Sequence, residues 1–401
     1  MIMTALPVAA STLVNACGTG WANVRRALRD DTGGLRRNDF EPALGLDTWI
    51  GRVAGLEDAA LPPALAHFDC RNHRLALACL AQDNFEDAVR AACARHGKER
   101  IGVFVGTSTS GILATELAYR EGKRAGDASV SDAVLSPSFY RYRHSMFAVS
   151  EFVRTRLGLA GPAMTVSTAC SSSAKVFAQA ARAIAAGVCD AAVVGGVDSL
   201  ALSTLHGFHS LGLLSRQPCR PFDADRDGIS IGEAAGFALL DPSARSAVAL
   251  VGYGESCDAY HMSSPHPEGA GAKAAMRDAL ARAGLAPQAI DYVNLHGTAS
   301  RANDEIEDQA VAAVLGTGAP AGSTKGWTGH TLGAAGATEA LITVMALEDG
   351  WLPGTLNCRT VDSRMQCRIE PVSRPAVLRH AMSNSFGFGG NNCTLIFGLR
   401  G

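Results

Sequence analysis

Short apolar runs alternate along this chain with Ala-rich stretches whose apolar residues recur at helical spacing. Ile101–Val105 reads as a β-strand ending at Gly106, followed by Thr/Ser/Gly loop chemistry. Met164–Ser167 is another strand candidate. A helix is predicted over Ser171–Ala186, with Val176, Phe177, Ala180 and Ile184 on one face and Gly187 placed to cap its end. Ala191–Val194 reads as the next strand. This strand–helix–strand rhythm predicts α/β layering on a mainly parallel sheet.

The rhythm restarts after Asp241–Pro242. Val248–Tyr253 and Tyr292–Leu295 are strand-like, Ala274–Ala283 and Asp304–Leu315 helix-like, and Leu332–Leu347 a longer apolar helix. Cys393–Phe397 closes the chain as a strand behind a Gly-rich turn. Two halves of similar rhythm, 1–245 and 246–401, suggest a duplication without a crisp residue-level repeat. One compact double α/β body is expected.

Composition narrows the function. Of 401 residues, 47% are apolar and 18% charged, which excludes disorder and a small stapled scaffold. The 36 basic and 38 acidic residues nearly cancel, giving no overall field for nucleic acid or membrane. Eleven cysteines without a CxxC pair exclude a zinc ribbon and fit a reduced, cytoplasmic chain. The apolar start, Met1–Cys17, lacks a basic leader and reads as a first core strand.

One cysteine stands out. In Val166-Ser167-Thr168-Ala169-Cys170-Ser171-Ser172-Ser173 a strand turns into a helix with Cys170 near its start, where free N–H groups and the helix dipole favour a nucleophilic thiolate. A buried cysteine beside a Ser-rich N-cap is the alternative. His296 ends a strand in Asn294-Leu295-His296-Gly297-Thr298, and His330 sits in Lys325-Gly326-Trp327-Thr328-Gly329-His330 before a helix. Asn384-Ser385-Phe386-Gly387-Phe388-Gly389-Gly390-Asn391-Asn392 could bring backbone N–H groups to an oxyanion, or be an ordinary turn. Asp223, Asp225, Asp227 and Gly228 imitate a calcium loop, but Ala234 stands where its closing Glu should be.

At these stretches the sequence resembles the elongating β-ketoacyl-acyl-carrier-protein synthases, from the Val105–Gly111 loop to the C-terminal turn. Arg220-Pro221-Phe222-Asp223 through Arg226-Asp227-Gly228, and Gly232–Gly236, look like the family's motifs too. The resemblance implies a thiolase-like fold of two duplicated α/β halves in an α-β-α-β-α body. It places the nucleophile on Cys170, catalytic histidines on His296 and His330, the active-site lysine on Lys325 and a gating, oxyanion-side phenylalanine on Phe388. Asp304, Glu307 and Glu339 are expected around Lys325, with Asp258 and His261 as further supporting residues. Thr109 is expected to line an acyl pocket at a subunit contact. Arg71, Arg74, Lys123 and Arg124 are candidates for docking an acidic acyl carrier protein.

The implied reaction is decarboxylative condensation of malonyl-carrier protein with an acyl chain on Cys170, needing no metal or organic cofactor. A homodimer, or a heterodimer with a chain-length-factor-like ketosynthase, is the implied assembly. Arg301, where many members have proline, and Asn391, where threonine is commoner, depart from the pattern. With Phe68-Asp69-Cys70-Arg71-Asn72, Thr168-Ala169-Cys170-Ser171-Ser172-Ser173 and Gly390-Asn391-Asn392 together, the chain resembles the aryl-polyene-type branch. Two other readings stay open: a biosynthetic thiolase using Cys393 as a second cysteine, and a non-catalytic chain-length-factor subunit.

Overall fold

The structure is a computed structural model that describes residues 2–40, 45–125 and 136–400, with side chains at 123–125 left out. Ten strands build its centre: β1 Leu6–Asn15, β2 Ile101–Gly106, β3 Ala163–Val166, β4 Ala191–Asp198, β5 Ala234–Leu240, β6 Val248–Cys257, β7 Tyr292–Asn294, β8 Pro320–Gly322, β9 His380–Gly387 and β10 Asn391–Leu399. The helices that matter below are α1 Arg71–Leu80, α2 Phe85–His96, α3 Ile112–Ala125, α4 Ala148–Arg156, α5 Ser172–Ala185, α6 Leu202–Ser210, α7 Ala270–Ala283, α8 Arg301–Leu315 and α9 Ala335–Asp349. No helix among the described residues is long and apolar enough to cross a membrane.

The duplication lies in the topology. Strands pair in the order β3-β2-β4-β5-β1 in the first half and β8-β7-β9-β10-β6 in the second. Numbered within each half, both read 3-2-4-5-1. The pairing sense repeats as well: β2 is parallel to β3 and β4, while β5 is antiparallel to β4 and β1. Likewise β7 is parallel to β8 and β9, while β10 is antiparallel to β9 and β6. Only Leu6↔Leu250 and Pro7↔Ala249 join β1 to β6. The mainly parallel sheet expected from the rhythm is therefore mixed, because in each half the last strand runs antiparallel between the parallel strands and the first strand, through a hairpin in the second half and after helix α6 in the first.

The two sheets sandwich α5 and α9, with α5 on β2 and β4 and α9 on β9 and β5. On the outer faces, α1, α2 and α4 cover the first sheet, and α7 with α8 the second. Together these make five layers, α-β-α-β-α. This position explains α9, which is buried from Ala335 to Leu347 and has no polar face to show water. Where the α5 and α9 backbones meet, Gly336 leaves no room for a side chain: a Cβ there would lie 2.4 Å from the Ala174 nitrogen.

Most elements sit where the pattern puts them, with shifted ends. The strand read as Ala191–Val194 runs on to Asp198 through Gly195-Gly196, because a Cβ at Gly195 would fall 2.3 Å from the Gly236 carbonyl on β5. Leu332–Leu347 divides into a 3₁₀ turn over Leu332–Ala334 and α9, with Leu332 at φ 54° marking the bend.

Candidate active site

Cys170 sits on a sharp turn between β3 and α5. Ala169 takes φ 51°, a left-handed conformation that costs an alanine energy and holds only where the surroundings fix it. The serines do that. Ser172 Oγ accepts the Thr168 N–H at 2.9 Å and donates to the Ala169 carbonyl at 2.5 Å, and Ser171 Oγ donates to the Thr168 carbonyl at 2.9 Å. Cys170 lies just before the helix, 6% exposed, with a hydrogen bond from the Phe388 backbone N–H to its sulfur.

Both histidines come from the second half. His330 follows a single turn over Lys325–Thr328 and is threaded beside Ile231, its N–H donating to the Ser230 carbonyl and its carbonyl accepting the Gly232 N–H. Its Nε2 lies 2.9 Å from Cys170 Sγ. His296 stands edge-on to that ring, centroids 5.3 Å apart. Cys170, His296 and His330 each bring one donor atom within 4.8 Å of the other two, all buried.

Lys325 organises this group. It pairs with Glu339, donates to the His296 carbonyl and places Nζ 3.4 Å from His296 Nδ1. An ammonium only donates, so Nδ1 must accept, and in the neutral ring the proton sits on Nε2. Burial and the Lys325 charge push both histidines well below the usual imidazole range, so both are neutral. Burial also lifts the Cys170 thiol to about 11, against the opposing pull of Lys325 and the Phe388 N–H. The thiolate expected from the helix terminus is therefore not the resting form: desolvation outweighs the N–H groups, and a buried thiol faces two neutral imidazoles.

The supporting acids divide their work. Glu339 alone grips the ammonium, and burial lifts its carboxyl to about 7. Glu307 takes the N–H groups of His296 and Gly297 at 2.7 and 2.8 Å, fixing the backbone that aims the ring. Asp304, expected around Lys325, instead accepts the Phe222 and Ala299 N–H groups, with the buried Arg226 guanidinium 3.5 Å away. Ala299 and Phe222 have φ of 68° and 60°, so Asp304 holds two turns that would otherwise relax. Asp223 accepts N–H groups from Asp225, Arg359 and Thr360, the work of a turn brace.

A cavity of about 390 Å³ opens above the sulfur, lined by Cys170, His296, His330, Phe208, Phe386 and Phe388 among others. Arg301 and Asp258 also line it. Asp258 accepts the Asn392 side-chain amide at 2.7 Å and donates its N–H to the Gly390 carbonyl, bracing the turn that carries Phe388. His261 is exposed and accepts the N–H groups of Ser263 and Ser264, which line the cavity, without lining it itself. Asn391 Oδ1 accepts from Lys175 at 3.3 Å.

Other expected positions lie elsewhere. Thr109 is buried and donates through N–H and Oγ1 to Asp198, without lining this cavity. Arg71 is a correction: it is 9% exposed and locked by Glu233 and Glu57, so it offers no docking charge. Arg74 is held by both oxygens of Asp69. The Lys123 and Arg124 side chains lie outside the described residues. Cys393 lies fully buried on β10 in the apolar core, unsuited to a second nucleophile. Sequence reasoning missed Asp198, which gathers Thr107, Ser108, Thr109 and the Gly333 N–H; a lone acid ending an apolar strand was the available signal. It also missed Phe208, which no local pattern marks.

Comparison with known proteins agrees with this geometry. Residues 62–246 match the Beta-ketoacyl synthase, N-terminal domain, and residues 247–359 the Beta-ketoacyl synthase, C-terminal domain. A mitochondrial 3-oxoacyl-[acyl-carrier-protein] synthase of Arabidopsis thaliana is 36% identical over 345 residues, 80% of this chain and 73% of that one. The 3-oxoacyl-[acyl-carrier-protein] synthase 2 of Vibrio cholerae serotype O1 is 36% identical over 318 residues, 74% of this chain and 75% of that one. A ketosynthase solved in complex with its chain length factor, from Xenorhabdus doucetiae, superposes with a TM-score of 0.90 at 39% identity, covering 99% of this chain and 98% of that one. Similarity of this depth extends through both halves and through the loops that carry the cysteine and the histidines. The chain belongs to the beta-ketoacyl synthase family.

Proposed function

We propose that this protein is a β-ketoacyl-acyl-carrier-protein synthase in which Cys170 carries the growing acyl chain. The 2.9 Å contact between Cys170 Sγ and His330 Nε2, inside a cavity shared with His296, carries the reading. Cys170 attacks the thioester of an acyl-carrier protein; the S–acyl bond forms, the carrier's C–S bond breaks, and the thiol proton ends on the departing carrier thiol. The N–H groups of Cys170 and Phe388 stabilise the oxyanion. Malonyl-carrier protein then loses CO2, leaving an enolate whose oxygen takes hydrogen bonds from His296 Nε2–H and His330. Its carbon attacks the acyl-Cys170 carbonyl and expels Cys170 as the thiolate, which takes a proton from solvent to regain the resting thiol, giving a β-ketoacyl product two carbons longer. Lys325 sets the His296 tautomer and stays outside the bond changes.

The partner is an acyl carrier protein, and the assembly is a dimer, either with a second copy or with a chain-length-factor-like ketosynthase. A relative solved with its chain length factor supports the latter. The Phe68–Asn72 and Gly390–Asn392 motifs favour an aryl-polyene-type pathway, and eleven free cysteines favour the reducing cytoplasm. The halves are taken as 1–245 and 246–401, supported by the repeated strand order. Phe388, on a turn whose Gly389 and Gly390 have φ of 77° and 72°, acts as the gate between the half-reactions. Incubation with acyl-carrier protein should leave an acyl adduct on Cys170 by mass spectrometry, and malonyl-carrier protein should release CO2. An unmodified Cys170 would leave the non-catalytic subunit, and CO2-independent condensation of acetyl thioesters the thiolase.

A further inference from the structure

We propose that Glu116 is a positioning residue for the Phe388 gate, acting through helix α6. The inference rests on the reading of Phe388 as a gate. Helix α6 is nine residues long, and of these only Leu205 is fully buried. Its N-cap is Ala201, which has no side-chain acceptor for the first N–H groups. The missing cap comes from another helix: the two Glu116 oxygens, on α3, accept the Leu202 and Ser203 N–H groups at 2.9 Å each. So short a helix with so little buried surface is marginal by itself, and an anion at its N-terminus stabilises it.

The other end of α6 meets the gate. Phe208 stacks on Phe388, centroids 5.6 Å apart and planes within 19°, and Phe208, Leu211 and Leu213 form one wall of the cavity. For Phe388 to swing, this stack must part. For its N–H to remain on Cys170, the stack must hold. Glu116 therefore bears on the gate in series: carboxylate, helix, Phe208, Phe388. Losing the cap loosens α6, removes the surface against which Phe388 rests, and displaces an N–H that acyl transfer uses and decarboxylation does not.

The test compares acylation of Cys170 with CO2 release from malonyl-carrier protein in Glu116→Ala, Phe208→Ala, the double variant and Phe388→Ala. Glu116→Ala should slow acylation about fivefold, the rate equivalent of one lost helix cap, with CO2 release within about twofold. The double variant should be no slower than Phe208→Ala, because effects in series do not add. Equal losses in both half-reactions, or multiplying losses in the double variant, would reduce Glu116 to fold support and overturn the proposal. Phe388→Ala separates the two failures: if it leaves the ratio of half-reactions unchanged, the gate itself is wrong, whereas a shifted ratio there beside an unshifted one in Glu116→Ala sinks the relay alone. Should Glu116→Ala not fold, Glu116→Gln keeps one acceptor oxygen and is read the same way with a smaller shift.

Discussion

Lys325 sets the chemistry of both partners of the cysteine without touching the sulfur. Burial first, and its charge second, keep the imidazoles neutral, while on the thiol the same charge pulls down against burial, so Lys325 adds to burial at the bases and opposes it at the acid. Alkylation of Cys170 by iodoacetamide should climb roughly tenfold per pH unit up to about 11, tracking the thiolate. Removing the cation in Lys325→Met should move that rise to higher pH; a shift to lower pH would show that Lys325 does not stabilise the thiolate. The half-reactions should also separate. Cys170→Ala loses the acyl adduct but keeps measurable CO2 release, whereas His330→Ala loses a donor to the enolate, and decarboxylation drops by about a hundredfold or more. Radiolabelled CO2 and mass spectrometry read both, and normal decarboxylation in His330→Ala would contradict its assigned role. Cys170, His296 and His330 were legible as candidates because each stands at a strand or helix end, whereas Lys325 came only through the family resemblance. Asp304 was assigned to the wrong neighbour and Arg71 to the wrong surface, because an acid or base in sequence does not say which buried charge it will meet: Arg226 claims the first and Glu233 the second.

At the scale of elements, the distance between α5 and α9 governs the distance between nucleophile and base, since one helix starts just after Cys170 and the other just after His330. Their approach depends on Gly336 and on the Ala337 N–H donating to Ser173 Oγ at 2.8 Å. Gly336→Ala should therefore cost about 1–3 kcal/mol by overpacking. It should also lower condensation more than the loss of folded protein explains, as a urea titration beside an activity assay would reveal; full specific activity would show that the helices yield without moving the site. The pattern of Val176, Phe177, Ala180 and Ile184 placed a helix here and one buried face. It could not tell that Ser172, Ala174 and Ala181 are buried too, because a single-face periodicity does not register a helix enclosed by two sheets.

At the scale of the molecule, β3 is paired along one side only among the described residues and ends the sheet there, with Met164 43% exposed on it. An open edge invites a second strand. Sedimentation at micromolar concentration should give twice the 41.6 kDa chain mass, or a heterodimer when a chain-length-factor-like partner is present, and Met164→Lys should weaken either. A fully active monomer would overturn the dimer. The alternation of runs and helices made the double α/β body legible, yet the shared 3-2-4-5-1 order was not, because strand neighbours are chosen by hydrophobic faces that local periodicity leaves unpaired.

The inner pair of helices has a consequence for how the chain is made. Helix α5 ends at Ala185, and the helix that will cover it, α9, does not begin until Ala335. At common synthesis rates of about 5–20 residues per second, the ribosome takes roughly eight to thirty seconds over that interval. Once β4 and β5 are made, the first half must hold its inner apolar face against water with nothing yet built to cover it. The nascent chain is therefore a natural client for a chaperone that shields hydrophobic surface, and a pause anywhere between the two helices lengthens its exposure to aggregation.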